Sequence, residues 1–143
     1  MAKVDKLKWR TISKVQKWYD PDGKIASEIA SGKITVEDAK KKYKNNFISE
    51  TIKYGNIILD NGATTLLQLL TGVSGINPYN SANAQICISN NQSSPSASET
   101  SLGGTNLQCL PMNSGYPTVS GNTATFQSTA STSQANFCWY TWG

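Results

Sequence analysis

The spacing of apolar residues changes near residue 47. Before that point, Lys3–Tyr19 combines a short strand-like alternation with loose helical spacing, which indicates an extended or mixed arm. Asp20–Gly23 predicts a turn, because Pro sets φ, Asp bonds nearby backbone and Gly accepts positive φ. Lys24–Ala30 predicts a short helix, and a second helix begins after Thr35, its expected N-cap. We therefore expect a short helical hairpin after the arm.

From residue 47 the period shortens to two. Phe47–Tyr54 alternates as a strand does, and Asn56–Asp60 is expected to continue as a short buried strand. Asn61-Gly62 is expected to turn the chain. Ala63–Leu70 then predicts a short apolar helix that ends at Thr71-Gly72.

The rest of the chain consists of short β-prone runs between segments rich in Ser, Asn and Gly. The expected elements are strands at Ala84–Ser89 and Thr105–Met112, a long loop at Asn90–Gly104, a hairpin at Thr118–Phe126 and a last strand at Ala135–Trp142. The pattern predicts a mainly β fold. Its body, residues 47–143, would be neutral and β-rich with one short helix, preceded at residues 1–46 by the charged arm and helical hairpin.

The last predicted strand has aromatic residues on both faces. Phe137 and Trp139 alternate onto one face, and Tyr140 and Trp142 onto the other. A strand of this kind is buried on both sides, so we expect these four residues to pack in the core or at a subunit contact. Stacking on the rings of a bound sugar is the alternative.

Charge is confined to the first part of the chain. All 13 Lys and Arg lie between Lys3 and Lys53, the residues after Asp60 carry only Glu99, and histidine is absent. Catalytic acids, bases and metal ligands come mostly from charged residues and histidine. The composition therefore argues against an enzyme and predicts neither a cofactor nor a metal site.

The arm has the composition of a partner-binding segment. Trp9 and Trp18 lie among basic residues, and with Arg10 and Tyr19 they are the expected contacts to a neighbouring protein. Single-stranded nucleic acid is the disfavoured alternative, because the segment has one Arg and no recognised nucleic-acid-binding motif. The carboxylates of Asp20 and Asp22 are better explained by the turn than by a calcium site.

Cysteine usage and hydropathy predict the surroundings. Cys87, Cys109 and Cys138 are odd in number and widely spaced, so we expect three reduced, mostly buried thiols and a reducing cytoplasm during assembly. The first ten residues lack the apolar run of a secretory signal, and no apolar run is long enough to span a bilayer.

Five segments form one ordered pattern. They are Gly55–Gly62, Leu66–Gly72, Asn80–Ala84, Gly115–Thr123 and Ala135–Gly143. This pattern resembles a family of small virion structural proteins of tailed bacteriophages, of a decoration- or tail-associated β-sandwich type. The resemblance implies a jelly-roll-like β-sandwich for the body, residues 47–143. The resemblance covers about residues 55–143. Members of that family commonly continue past the final Trp-Gly with strand-like sequence, so an edge left at Gly143 would need cover from a neighbour.

The resemblance implies a non-enzymatic virion component assembled in the host cytoplasm. A capsid decoration or cement protein is the first expectation. Its arm would bind the major capsid protein or another virion subunit, and its body would contact further copies of itself, with a trimer as one arrangement. The alternative is a tail- or fibre-associated module that binds host glycan through loops such as Asn90–Gly104.

Overall fold

A computed structural model describes residues 10–55 and 58–143. Within these ranges the chain forms three α-helices, a short 3₁₀ turn and seven strands. In chain order they are β1 (Ile12–Trp18), α1 (Lys24–Ala30), α2 (Val36–Lys42), the 3₁₀ turn (Lys44–Asn46), β2 (Phe47–Tyr54), α3 (Asp60–Leu70), β3 (Gln85–Ser89), β4 (Leu107–Pro111), β5 (Thr118–Ser120), β6 (Thr123–Thr125) and β7 (Thr141–Trp142).

The strands form three small antiparallel sheets. Strands β1 and β2 make a two-stranded ribbon, β4, β3 and β7 make a three-stranded sheet in that order, and β5 pairs with β6. The fold is thus a mixed one of several antiparallel sheets and three short helices, which is compatible with the mainly β expectation. It is not clearly a jelly-roll sandwich.

The helical hairpin is confirmed, together with the local signals that predicted it. The buried Asp20 carboxylate accepts hydrogen bonds from the backbone N–H of Ile25 at 3.1 Å and of Ala26 at 2.8 Å. These two donors of the first turn of α1 would otherwise lack partners. Thr35 caps α2 as predicted, because its Oγ1 accepts from the N–H of Asp38 at 3.1 Å.

The N-terminal core lies between the two helices and the end of the ribbon at which Trp18 pairs with Phe47. Ile25, Ile29 and Ala39 are buried, and Trp18 and Tyr43 are among the side chains that pack against them. This small cluster positions the ribbon.

Strand β2 pairs with β1 along its length, from Ile12 opposite Tyr54 to Trp18 opposite Phe47. The sequence pattern predicted β2 as the first strand of the body. The pairing joins it instead to the arm, so the ribbon crosses the predicted boundary between residues 46 and 47.

Helix α3 begins earlier than predicted. Residues 58 and 59 are not in a strand, and Asp60, Asn61 and Gly62 form the first turn of the helix rather than a strand end and a turn. An acidic residue in the first turn is favoured by the helix dipole, which explains why the helix extends back to Asp60. The end at Thr71-Gly72 is as predicted, with Gly72 at φ +72°.

Two cysteines form a disulfide, which corrects the prediction of three reduced thiols. Cys87 in β3 lies directly opposite Cys109 in β4, and their Sγ atoms are bonded at 1.98 Å. The register of the two strands brings together thiols that are 22 residues apart in the sequence. Cys138 is a free, exposed thiol, so it is not buried as expected. The cysteines therefore give no support to a reducing compartment.

The last predicted strand is mostly irregular. Only Thr141 and Trp142 are extended in the sheet, and the strand predicted at Ala135–Trp142 is wrong for residues 135–140. Ala135 has φ +56°, and its carbonyl accepts the indole N–H of Trp139 at 2.8 Å. A local turn with its own hydrogen bonds thus replaces the strand. The strands β3 and β4, the hairpin β5–β6 and the long loop at Asn90–Gly104 are confirmed.

Candidate functional site

The molecule exposes more surface than a compact chain of its mass. The accessible surface is 10388 Å², whereas a compact monomer of this mass is expected to expose about 7,200 Å². Allowing the full extended-chain surface to the eleven residues outside the described ranges still leaves an excess of roughly 1,800 Å². Among the described residues only six hydrophobic side chains are buried, and fifteen large apolar or aromatic ones are exposed.

One concentration of exposed apolar surface lies on the ribbon. Ile12 lies opposite Tyr54, and Lys14 lies opposite Ile52, so these four side chains share one face. Tyr54 is 69% exposed, and Ile12 and Ile52 are also exposed. The Arg10 guanidinium lies 5.9 Å from the centre of the Tyr54 ring. We call these five residues the ribbon patch; it is apolar at its centre and carries two cations, and the Glu50 carboxylate lies beside Lys14 on the same face.

Two charge networks hold the ribbon and the helices together. Glu50 in β2 accepts from Lys40 Nζ at 2.7 Å and from Gln16 Nε2 at 2.6 Å. The hydrogen bond from Lys40, then that from Gln16, lowers the pKa of Glu50 below its ordinary value. In return, the bond to Glu50 raises the pKa of Lys40. Helix α2 is thereby fixed against the ribbon.

The second network joins the two helices. Glu28 of α1 accepts from Lys42 Nζ at 2.9 Å and from the Tyr43 hydroxyl at 2.8 Å. The hydrogen bond from Lys42 and, to a smaller extent, that from Tyr43 lower the pKa of Glu28. The bond to Glu28 in turn raises the pKa of Lys42. The lysines of α2 therefore stabilise the C-terminal end of the helix, and Lys40 and Lys42 also form these two ion pairs.

The predicted arm contacts lie in different environments. Trp9 lies outside the described residues. Arg10 is exposed and belongs to the ribbon patch, and Tyr19 is 64% exposed. Trp18 is half-buried; its ring meets Phe47 edge-on with centroids 5.0 Å apart, and it packs on the N-terminal core. Trp18 thus already has an intramolecular partner, and the role of all four in binding a neighbour stays a prediction.

Helix α3 is a second apolar surface. None of its residues is buried; Leu67 is 61% and Leu70 83% exposed, and Leu66 is also exposed. The helix carries one charge, Asp60. Its three exposed leucines make this helix an exposed apolar patch.

The C-terminal aromatic residues divide into two groups. Phe137 and Trp139 are half-buried around the turn at Ala135. Tyr140 and Trp142 line an open cleft of about 740 Å³ together with residues of the loop after β3 and of the ribbon. The expected role of all four in core or subunit packing stays a prediction.

Sequence reasoning missed most of the ribbon patch. Ile12, Ile52 and Tyr54 were treated as ordinary strand residues. The available signal was the alternation of Ile48, Glu50, Ile52 and Tyr54, which places apolar residues on one face of a strand next to a basic segment.

Comparison with protein-family models, with curated proteins and with solved structures found no match to this chain. No helix in the described ranges has the length and hydropathy needed to cross a bilayer. Among residues 10–55 and 58–143, no three His, Cys, Asp or Glu side chains are grouped so as to hold a metal ion.

Proposed function

We propose that this chain is a non-enzymatic structural protein of a tailed-phage virion, most specifically a capsid decoration or cement protein. The observations that support the proposal are the excess of exposed surface over what a compact monomer of this mass displays and the fifteen large apolar or aromatic side chains exposed among the described residues. Such surface is stable in water only when a further contact covers part of it. In this proposal a virion lattice supplies that contact, and the resemblance of residues 55–143 to virion proteins supports that assignment.

The ribbon patch is the proposed attachment site. Stable interfaces have an apolar or aromatic centre with polar groups at the rim, and a few residues carry most of the binding energy. Tyr54 and the two isoleucines supply that centre, and Arg10 and Lys14 supply a positive rim. The complementary partner surface is apolar with acidic residues around it, on the major capsid protein or another virion subunit.

The body contacts further copies of the chain in this proposal. The only charge of helix α3 is Asp60 in its first turn, away from Leu67 and Leu70, so these exposed leucines of two or three copies would be buried against one another with little repulsion. The trimer and the jelly-roll-like sandwich of the family remain part of the proposal. The three small sheets are compatible with that sandwich.

The attachment site is tested with a double variant, Ile52→Ser with Tyr54→Ala. Both side chains are exposed, so the fold is expected to tolerate the change, while occupancy on particles assembled without the native protein falls at least tenfold, equivalent to about 1.4 kcal/mol. Occupancy is measured by co-sedimentation and gel densitometry. Thr51→Ala on the opposite face of β2 is the control. Native occupancy in the double variant contradicts the attachment site.

The alternative, a tail- or fibre-associated module for host glycan, is favoured by one observation. The loop at Asn90–Gly104 and two C-terminal aromatic residues, which the sequence proposed separately for sugar binding, line the same cleft.

A further inference from the structure

The cleft lies at the junction between the charged and the neutral parts of the chain. The ribbon supplies Ser13 and Lys53, which lie opposite each other in β1 and β2 on the face away from the ribbon patch. The loop after β3 supplies Gln92, and the C-terminal segment supplies Tyr140 and Trp142. Its volume of about 740 Å³ is within the range of small-molecule sites.

The loop wall of the cleft is fastened in place. The Thr141 hydroxyl donates to the carbonyl of Asn91 at 2.7 Å, and the Asn91 amide donates to the carbonyl of Leu102 at 2.8 Å. The Tyr140 N–H donates to the carbonyl of Ser89 at 3.0 Å. Because Asn91 makes these internal hydrogen bonds, it holds the loop in place, and its neighbours are the residues that can contact a ligand.

Several polar side chains of the lining have no internal partner within the described part of the chain. Within the described part of the chain, Ser13, Lys53 and Gln92 make neither a side-chain hydrogen bond nor an ion pair. Beside them the Tyr140 ring is 54% exposed and the Trp142 ring is half-buried. A sugar site needs aromatic rings that pack on the sugar and polar groups that bind its hydroxyls. This cleft has both, because the rings lie next to a hydroxyl, an amide and an ammonium group that have no internal partner.

We propose that this cleft binds a short saccharide, with a preference for one that carries a carboxylate. The rings of Tyr140 and Trp142 pack on the apolar C–H face of a sugar ring, and Ser13 and Gln92 hydrogen-bond to its hydroxyls. Lys53 is the one charged side chain in the lining, so it pairs with the carboxylate of a uronic acid. This proposal rests on the alternative function, whose glycan class it names, and it is independent of the decoration role because the ribbon patch lies on the other face.

The test begins with the purified chain on an array of neutral and uronic-acid-containing oligosaccharides. Binding is then measured by isothermal titration calorimetry with trigalacturonate and with its uncharged trimethyl ester. We expect binding on the array and a several-fold preference for the acid over the ester. Binding to none of the saccharides overturns the proposal.

Variants assign the binding to the cleft. Tyr140→Ala is expected to weaken trigalacturonate at least tenfold, while Tyr140→Phe retains it and Tyr79→Ala, an exposed tyrosine outside the cleft, leaves it unchanged. Lys53→Gln is expected to abolish the preference for the acid without loss of ester binding. Undiminished binding in Tyr140→Ala, or an unchanged preference in Lys53→Gln, contradicts the site. All these variants should keep native occupancy on particles, which separates this test from that of the decoration role.

Discussion

At the scale of single residues, Asp20 connects the arm to the helical hairpin. Its carboxylate follows β1 directly, is 9% exposed, and accepts two backbone N–H groups of α1. The neighbouring Asp22 accepts only a long bond of 3.3 Å from Lys24 and is exposed. The two carboxylates are two residues apart in one turn but differ in burial and in bonding.

This difference makes a prediction about stability. Asp20→Ala leaves two donors of the first turn of α1 unpaired, so we expect it to lower the free energy of unfolding by about 1–2 kcal/mol. Asp22→Ala should change it by less than about 0.5 kcal/mol. Urea denaturation followed by circular dichroism measures both. Equal losses in the two variants would show that Asp20 does not act as a cap.

Contacts between residues that lie close together in the sequence could be predicted from it. The Thr35 cap and the Asp20 turn depend on residues three to six positions away, and both are confirmed. The Cys87–Cys109 bond depends on the register of two strands separated by a long loop. No spacing rule gives that register, so the disulfide was missed.

At the scale of elements, α3 is the helix with the most exposed apolar surface. Its leucines repeat at helical spacing, which is why the helix was predictable from residue 63 onward. The same pattern normally indicates a face packed on a core. Here no residue of α3 is buried, and Leu66, Leu67 and Leu70 are exposed.

We predict that α3 mediates self-association. Leu67→Ser with Leu70→Ser should leave the melting temperature nearly unchanged, because both side chains are already in solvent, and should weaken self-association at least tenfold, equivalent to about 1.4 kcal/mol. Sedimentation velocity over a concentration series measures the association. Thr64→Ala, an exposed polar position of the same helix, is the control. An oligomer that is unaffected by the double variant would assign the contact to another surface.

The C-terminal segment shows why a strand pattern alone was insufficient. Residues 135–140 alternate as a strand does, but a strand needs a partner edge, and β7 finds one on β3 only for two residues. The preceding residues instead form a turn at Ala135, whose carbonyl accepts a hydrogen bond from the Trp139 indole. The strand prediction was therefore wrong for residues 135–140, and the packing role of the four aromatic residues stays a prediction.

At the scale of the whole molecule, the asymmetry of charge has a structural counterpart. The charged residues build the ribbon and the helical hairpin, where the Glu50 and Glu28 networks hold them together. The neutral residues build α3 and the small sheets. The sequence placed a boundary between residues 46 and 47, but it did not predict that β2 joins the arm, because the β1–β2 pairing is made between segments about thirty residues apart.

The excess of exposed surface is a property of the folded molecule that the sequence pattern did not indicate. A stable protein–protein interface buries roughly 800 Å² per partner, so the excess of roughly 1,800 Å² is enough for two such contacts. The ribbon patch and α3 are two separate surfaces of suitable character. One attaches the chain to the lattice and the other joins copies of it in the proposed function.

An image of the intact virion at subnanometre resolution tests the proposed function most directly. We predict density for this chain at regular positions on the outer surface of the capsid shell, with the ribbon patch facing the shell and α3 between neighbouring copies. Particles without density for the chain on the shell, or a chain seated there with the ribbon patch turned to solvent, would contradict the proposal.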